Sequence, residues 1–167
     1  MIFVTVGTHE QQFNRLVSEV DRLRRGKFIE DEVIIQRGFG TYVPEFCEWK
    51  RLYPYQQMLQ CVGEARIVIT HGGPSSFIMP LQLRKAPIVV PRQKQFGEHV
   101  NDHQVEFCRV IAERQRNILV VEEIKELKEY ILHYDELIAE LDIGKDSNNV
   151  RFMEEFQVMV KAMMGRG

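Results

Sequence analysis

The stretch Arg66-Ile-Val-Ile-Thr-His-Gly-Gly-Pro-Ser-Ser-Phe77 decides how this chain is read, because it passes from a buried strand to a helix through a pair of glycines. Ile67, Val68 and Ile69 make a short apolar run suited to a strand covered on both faces. Gly72 and Gly73 then allow a tight turn and close backbone approach. Pro74 suits the first helical position, where its missing N–H would have been unpaired in any case. It leaves the amides of Ser75, Ser76 and Phe77 at the open end of a helix. Such an end attracts an anion, and a phosphate is its natural occupant.

Downstream, a second apolar strand, Pro87 to Val90, opens into the polar segment Pro91-Arg-Gln-Lys-Gln-Phe-Gly-Glu-His-Val-Asn-Asp-His-Gln104. In an open parallel sheet, ligands sit at the carboxyl ends of strands where the connections diverge, so two such junctions predict one shared crevice. Upstream, a strand from Ile2 to Val6 ends at Gly7-Thr8, and Phe13, Leu16, Val17, Val20 and Leu23 then recur at helical spacing up to Gly26. Glu32 to Gln36 reads as a strand, Glu45 to Leu52 as a further short one, and Tyr55 to Val62 as a helix. After the glycine junction come a helix to about Leu83, the Pro87–Val90 strand, a helix from about Glu98 to Glu113 and a strand from Asn117 to Val121.

Strands alternating with helices, without hairpin signals, predict the α/β class: a single Rossmann-like parallel sheet with helices on both faces. Two helices close the chain, Glu122 to about Leu141 and Asn148 to about Met164. Residues 1–146 are therefore expected to form one domain and residues 147–167 an apolar carboxyl-terminal helix. Val150, Phe152, Met153, Phe156, Met159, Val160, Met163 and Met164 give that helix a broad face, suited either to packing on the domain or to docking a partner.

At 167 residues, 44% hydrophobic and 28% charged, the chain has the composition of one globular domain with a core. Its 22 basic and 24 acidic residues give a formal charge of −2, which argues against nucleic acid as a partner. Cys47, Cys61 and Cys108 are odd in number and scattered, which argues against a disulfide framework and against a clustered-cysteine zinc site. A cytoplasmic location is expected. Met1 leads directly into a strand and no run reaches membrane-spanning length, so membrane association would be peripheral and borrowed from a partner.

The blocks Phe3-Val-Thr-Val-Gly-Thr8, Ile69-Thr-His-Gly-Gly73 and Ile88-Val-Val-Pro-Arg92 with Asn101-Asp-His-Gln104 resemble, in order, the donor-binding carboxyl-terminal half of glycosyltransferases of the two-Rossmann-domain (GT-B) fold, family 28 C-terminal-like. The resemblance covers roughly Met1 to Val121. It extends to the bacterial stand-alone subunits that work with a membrane-bound partner in capsular or exopolysaccharide synthesis. It extends also to the cytosolic subunit of the eukaryotic two-part enzyme that adds the second N-acetylglucosamine to the dolichol-linked carrier. What it implies is a catalytic subunit of a two-component inverting hexosyltransferase. Such a subunit binds a UDP-sugar, and a membrane-anchored acceptor-binding subunit presents a lipid-linked saccharide.

Carried onto this sequence, the resemblance puts Gly7 and Thr8 in the first-strand loop facing the cleft. It puts His71, Gly72, Gly73, Ser75 and Ser76 on the diphosphate-binding turn, and Asp102, His103 and Gln104 against the sugar hydroxyls, where capping of a helix is the competing role. Arg92 and Lys94 are candidates for phosphate contact or for ordinary surface charge. Relatives commonly place an acidic residue for the ribose on the helix after the turn, where this chain has Met79 and Pro80.

Sugar transfer also needs a base for the acceptor hydroxyl. His9, just after the first-strand loop, is the first candidate, with His71, His99 or a residue of the partner as alternatives. The sequence contains no convincing Asp-x-Asp element, so no metal ion and no cofactor is expected. A non-catalytic nucleotide-sugar-binding module that stabilises or regulates a partner enzyme is the competing function. A UDP-sugar epimerase, which needs two Rossmann halves, is disfavoured by the chain's length.

Overall fold

The computed structural model describes residues 1–143, together with Glu154, Val158, Lys161 and Ala162. The expected helix over residues 148–164 therefore lies outside the described residues, apart from those four. The apolar runs become the central strands: β1 is Ile2–Thr5, β2 Val33–Gln36, β4 Ile67–His71 and β5 Ile88–Val90. The polar Glu48–Lys50 becomes β3 at one edge, where its side chains meet solvent, and the two-residue Leu119–Val120 becomes β6 at the other. All five pairings are parallel and the order is β3-β2-β1-β4-β5-β6. This is the doubly wound Rossmann order, in which the chain reverses direction between β1 and β4.

Side-chain alternation along the strands separates two apolar layers. Ile2 and Val4 of β1, Ile67 and Ile69 of β4, and Ile88 and Val90 of β5 face one side, where Leu16, Val17, Val20 and Leu23 of helix α1 (Asn14–Arg25) cover them. Leu127 and Ile131 of α5 (Leu127–Leu132) and Tyr134 of α6 (Tyr134–Ala139) complete this layer. On the other side Phe3 and Val68 meet Val62 of α2 (Tyr55–Glu64). Val89 there meets Phe77 and Leu81 of α3 (Pro74–Gln82) and Phe107, Cys108 and Ile111 of α4 (His103–Gln115).

Two expectations need correction. The helix placed from about Glu98 begins only at His103, because Lys94–Phe96 form a 3-10 turn, Gly97 adopts φ +67° and the Glu98 side chain is drawn into the interior. The single helix expected from Glu122 to Leu141 is a 3-10 turn, Ile124–Glu126, followed by α5 and α6, with the break at His133. Beyond the break Tyr134 is buried and its hydroxyl donates to the Ala86 carbonyl at 2.6 Å.

Candidate donor site at the strand switch point

The carboxyl ends of β1 and β4 lie side by side, with Thr5 registered against Thr70, while their connections run to opposite faces of the sheet. A crevice is expected where such connections part. At that junction the His71 ring is buried between two glycines. A Cβ on Gly7 would come to 2.3 Å from His71 Nε2, and one on Gly73 to 2.3 Å from His71 Cε1. Gly7 also has φ +75°, which L side chains rarely adopt. Both glycines are thus required by the ring, a role invisible in the spacing of the sequence.

The hydrogen bonds assign the tautomer of that ring. Gly73 N–H donates to His71 Nδ1 at 3.1 Å, so Nε2 carries the proton and donates it to Ser76 Oγ at 2.6 Å. Burial, and then the charge of Arg92, push the imidazole down to about 3, so it stays neutral at physiological pH. His71 therefore has no free nitrogen with which to act as a base. With its oxygen accepting from Nε2–H, Ser76 has its own hydroxyl proton left to donate elsewhere.

The start of α3 is only partly open. No side chain caps it. The Gly73 amide goes to His71, Pro74 has none, and the Ser76 amide bonds the Gly73 carbonyl at 3.0 Å. That leaves the Ser75 N–H without an acceptor among the described residues. The turn thus offers an anion one amide and one hydroxyl, rather than the row of amides that the sequence suggests. Gly72 is confined as well: a Cβ there would meet Cys108 Sγ, Gln104 Cβ and Pro91 Cα, each at 3.0 Å.

The β1 loop is held from both sides. Thr5 Oγ1 accepts from Gly7 N–H at 3.1 Å and from Gln36 Nε2 at 2.9 Å, while Gln36 Oε1 accepts from Tyr53 N–H at 2.8 Å. Thr8 and His9 are exposed beyond it. His9 lies against His99, with ring centroids 5.4 Å apart and planes inclined by 34°. Its Nδ1 accepts from Gln11 N–H at 3.2 Å, which puts the proton of the neutral ring on Nε2. A base role through Nε2 would require that proton to move and the Gln11 contact to break.

Arg92 corrects the expectation of a phosphate ligand. Its side chain is completely buried, with Nη1 donating to the carbonyls of Gln11, Gln12 and Glu98 and Nη2 to that of Val6, at 2.8–3.3 Å. A guanidinium so committed braces the β1 loop from beneath. Lys94, the other candidate, is exposed.

Two partners escaped the sequence reading. Glu98 is buried, and Arg15 grips its carboxylate at 2.9 and 3.0 Å while Gln93 N–H adds a third contact at 3.0 Å. The ring of Phe13 lies between Arg92, 4.9 Å from its centroid, and Arg15, 5.5 Å away. Arg15 sits on a helix among apolar positions and Glu98 in a polar loop, so nothing in their spacing joins them.

Asp102, His103 and Gln104 are only partly free for a ligand. Asp102 Oδ1 accepts from Lys94 N–H at 2.9 Å, and Gln104 Oε1 accepts from Arg92 N–H at 3.0 Å. His103 N–H donates to Asn101 Oδ1 at 3.0 Å, tying the start of α4 to the segment before it. Met79 packs against the Phe3, Val62, Ala65 and Val68 cluster, which gives the departure at that position a reason in the core. Among the described residues no group of three or more His, Cys, Asp or Glu is arranged to hold a metal ion, and no helix is long and apolar enough to cross a membrane.

Comparison with known proteins agrees with this fold. The family model described as the glycosyltransferase family 28 C-terminal domain matches residues 1–157. No curated protein sequence matches significantly. Among solved structures, the glycotransferase of kitacinnamycin superposes with a TM-score of 0.59 at 14% identity over 97% of this chain. The glycosyltransferase SnogD from Streptomyces nogalater aligns more loosely, with a TM-score of 0.46 at 16% identity over 84% of the chain. The chain spans 39% of the length of each of these two enzymes. The strand order, the glycine-flanked turn and the match over residues 1–157 together identify the chain as a member of the glycosyltransferase family 28 C-terminal domain family.

Proposed function

We propose that the chain is the donor-binding subunit of an inverting glycosyltransferase. It holds a UDP-sugar and acts with a membrane-anchored, acceptor-binding partner on a lipid-linked saccharide in polysaccharide biosynthesis, as a cytoplasmic protein peripheral to the membrane. The carrying observation is the Gly7–His71–Gly73 stack at the strand switch point. It fixes a Ser76 hydroxyl as donor beside the uncapped start of α3. In the transfer, the bond from the sugar C1 to the diphosphate oxygen breaks as the acceptor oxygen attacks from the opposite face. Negative charge grows on the diphosphate, where Ser75 N–H, the Ser76 hydroxyl and the helix dipole would stabilise it without a metal ion. The acceptor's proton goes to a base. Both nitrogens of His71 are engaged and His9 carries its proton on Nε2, so we assign the base to the partner's half.

The test is to titrate the purified chain with UDP and with UDP-glucose, UDP-galactose and UDP-N-acetylglucosamine, then add the membrane partner and a lipid-linked acceptor. Nucleotide-sugar binding by the chain alone, followed by partner-dependent transfer with inversion, is the expected result. Failure to bind any nucleotide sugar would refute the proposal. Binding with no transfer to any acceptor would favour the regulatory binding module, a reading that draws on Met79 occupying the core where an acidic ribose ligand is common.

A further inference from the structure

Three histidines at the carboxyl end of the sheet share one local geometry. Nδ1 of His9, His71 and His99 each accepts the backbone N–H two residues ahead, of Gln11, Gly73 and Asn101, at 3.2, 3.1 and 3.4 Å. Asn101 makes the same i to i+2 contact through its Oδ1, to His103 N–H, so the segment has two such turns in succession. An imidazole fixed in this way donates at Nε2 while neutral, and a second proton can go only to Nδ1, releasing the i+2 amide, after which both nitrogens donate. His71 spends its donor on Ser76. The paired rings of His9 and His99 have no such partner for Nε2 among the described residues.

These two rings come from different connections, the β1 loop and the segment after β5, and the interior holds those connections together. Arg92 binds carbonyls of both, from Val6, Gln11 and Gln12 on one side and Glu98 on the other. Gln12 Nε2 returns the tie, donating to the carbonyls of Phe96 and Gly97 at 3.1 and 3.3 Å. The connections that carry the two rings are thus tied together, and the ring centroids lie 5.4 Å apart.

We propose that His9 and His99 form a two-point Nε2–H clamp for the diphosphate of the nucleotide-sugar donor, and that the clamp takes up a proton as the donor binds. The inference rests on the donor-site reading above and gives His9 a binding role in place of that of a base. The groups that act on His99 are His9, Arg92 and His103, all cationic when charged, with the Asn101 side chain opposing them. Burial first, and then those charges, hold the His99 ring below its ordinary range, so it is neutral in the empty site at neutral pH. His71, already neutral, adds no charge. A diphosphate diester carries two negative charges throughout this pH range. Placed against the pair it favours imidazolium; the incoming proton goes to Nδ1 of one ring, whose i+2 amide is released to solvent, so a proton is absorbed and affinity rises as pH falls.

The experiment uses the full chain and a UDP-sugar rather than UDP, whose terminal phosphate would itself titrate. Calorimetric titration near pH 7 in two buffers of different ionisation enthalpy reads proton uptake directly, and affinities from pH 5.5 to 8.5 read its consequence. Expected are uptake of up to one proton per donor bound and an affinity that increases towards low pH by at most tenfold per pH unit. His9→Asn and His99→Asn keep an oxygen for the i+2 amide and remove the Nε2 donor. Each should weaken binding roughly tenfold, the loss of one charge-assisted hydrogen bond, and flatten the pH profile while leaving the melting temperature unchanged. Binding by the wild type without proton uptake, or uptake that persists in both variants, overturns the clamp and leaves the donor site standing. Absence of any nucleotide-sugar binding to the wild type would remove both.

Discussion

A methyl group at residue 73 would sit 2.3 Å from His71 Cε1, although φ there is an ordinary −70°. The constraint is contact and not backbone, so Gly73→Ala should push the imidazole off Ser76. The expected cost is about 1–3 kcal/mol of stability by overpacking, with loss of UDP-sugar binding. Urea denaturation and donor titration read the two effects, and an alanine variant indifferent in both would contradict the stack. His71 also carries a pH signature. Its folded-state value, about 3, lies below the ordinary histidine value of the unfolded chain. As pH falls through the unfolded value and on towards 3, the unfolded chain binds a proton that the buried ring refuses, and stability drops over that window. His71→Asn should remove this component of the acid dependence, measured as a flatter plot of urea midpoint against pH between 6.5 and 4. The residues of the turn were legible in the sequence because glycine and proline carry their own conformational rules. The direction of each hydrogen bond was not, because it depends on which nitrogen of His71 faces Gly73.

At the level of elements, the strands were foreseeable and the helix ends were not. Apolar runs of three to five residues mark β1, β2, β4 and β5 wherever they occur in the fold, since burial on both faces demands them. Helix α2 shows why ends differ. Its last turn has no basic residue, and its terminal carbonyls are met by Lys85 from beyond α3. Nζ of Lys85 donates to the carbonyls of Val62, Gly63 and Ala65 at 2.9, 2.6 and 2.6 Å. An ammonium at this end satisfies orphan carbonyls and opposes the negative pole of the helix. Lys85→Met should therefore cost about 1.5–3 kcal/mol, the range for hydrogen bonds to a charged group, and amide exchange should quicken first in the last turn of α2. Protection unchanged across Val62 to Ala65 would show that the contact contributes nothing.

Across the whole molecule, one buried cluster joins the connections at the carboxyl ends of the strands. Arg15 of α1 grips Glu98 and also donates to the carbonyls of Pro91 and Glu122, at 3.2 and 3.3 Å, so that α1, the end of β5 and the segment after β6 share one guanidinium. Removing one partner of such a pair strands a buried charge. Glu98→Gln is expected to cost about 3–5 kcal/mol, and Arg15→Met a comparable amount. The double variant should lose distinctly less than the sum, because neither charge is then left alone. Thermal or urea unfolding of the four proteins measures the coupling, and strict additivity would show that the pair is no unit.

The sequence by itself determined the parallel α/β sheet and the strand-to-helix turn at Gly72 to Ser76, because both follow from local rules: the burial of apolar runs, the backbone freedom of glycine and the fixed φ of proline. Only the tertiary structure decided that Arg92 braces a loop rather than meeting a phosphate, that Glu98 lies inside, and that His9 stands beside His99. Those outcomes depend on groups about 80 to 90 residues apart in the chain meeting across the carboxyl ends of β1 and β5. Which buried charge finds which partner is settled by where the strands stack, and no local pattern encodes it.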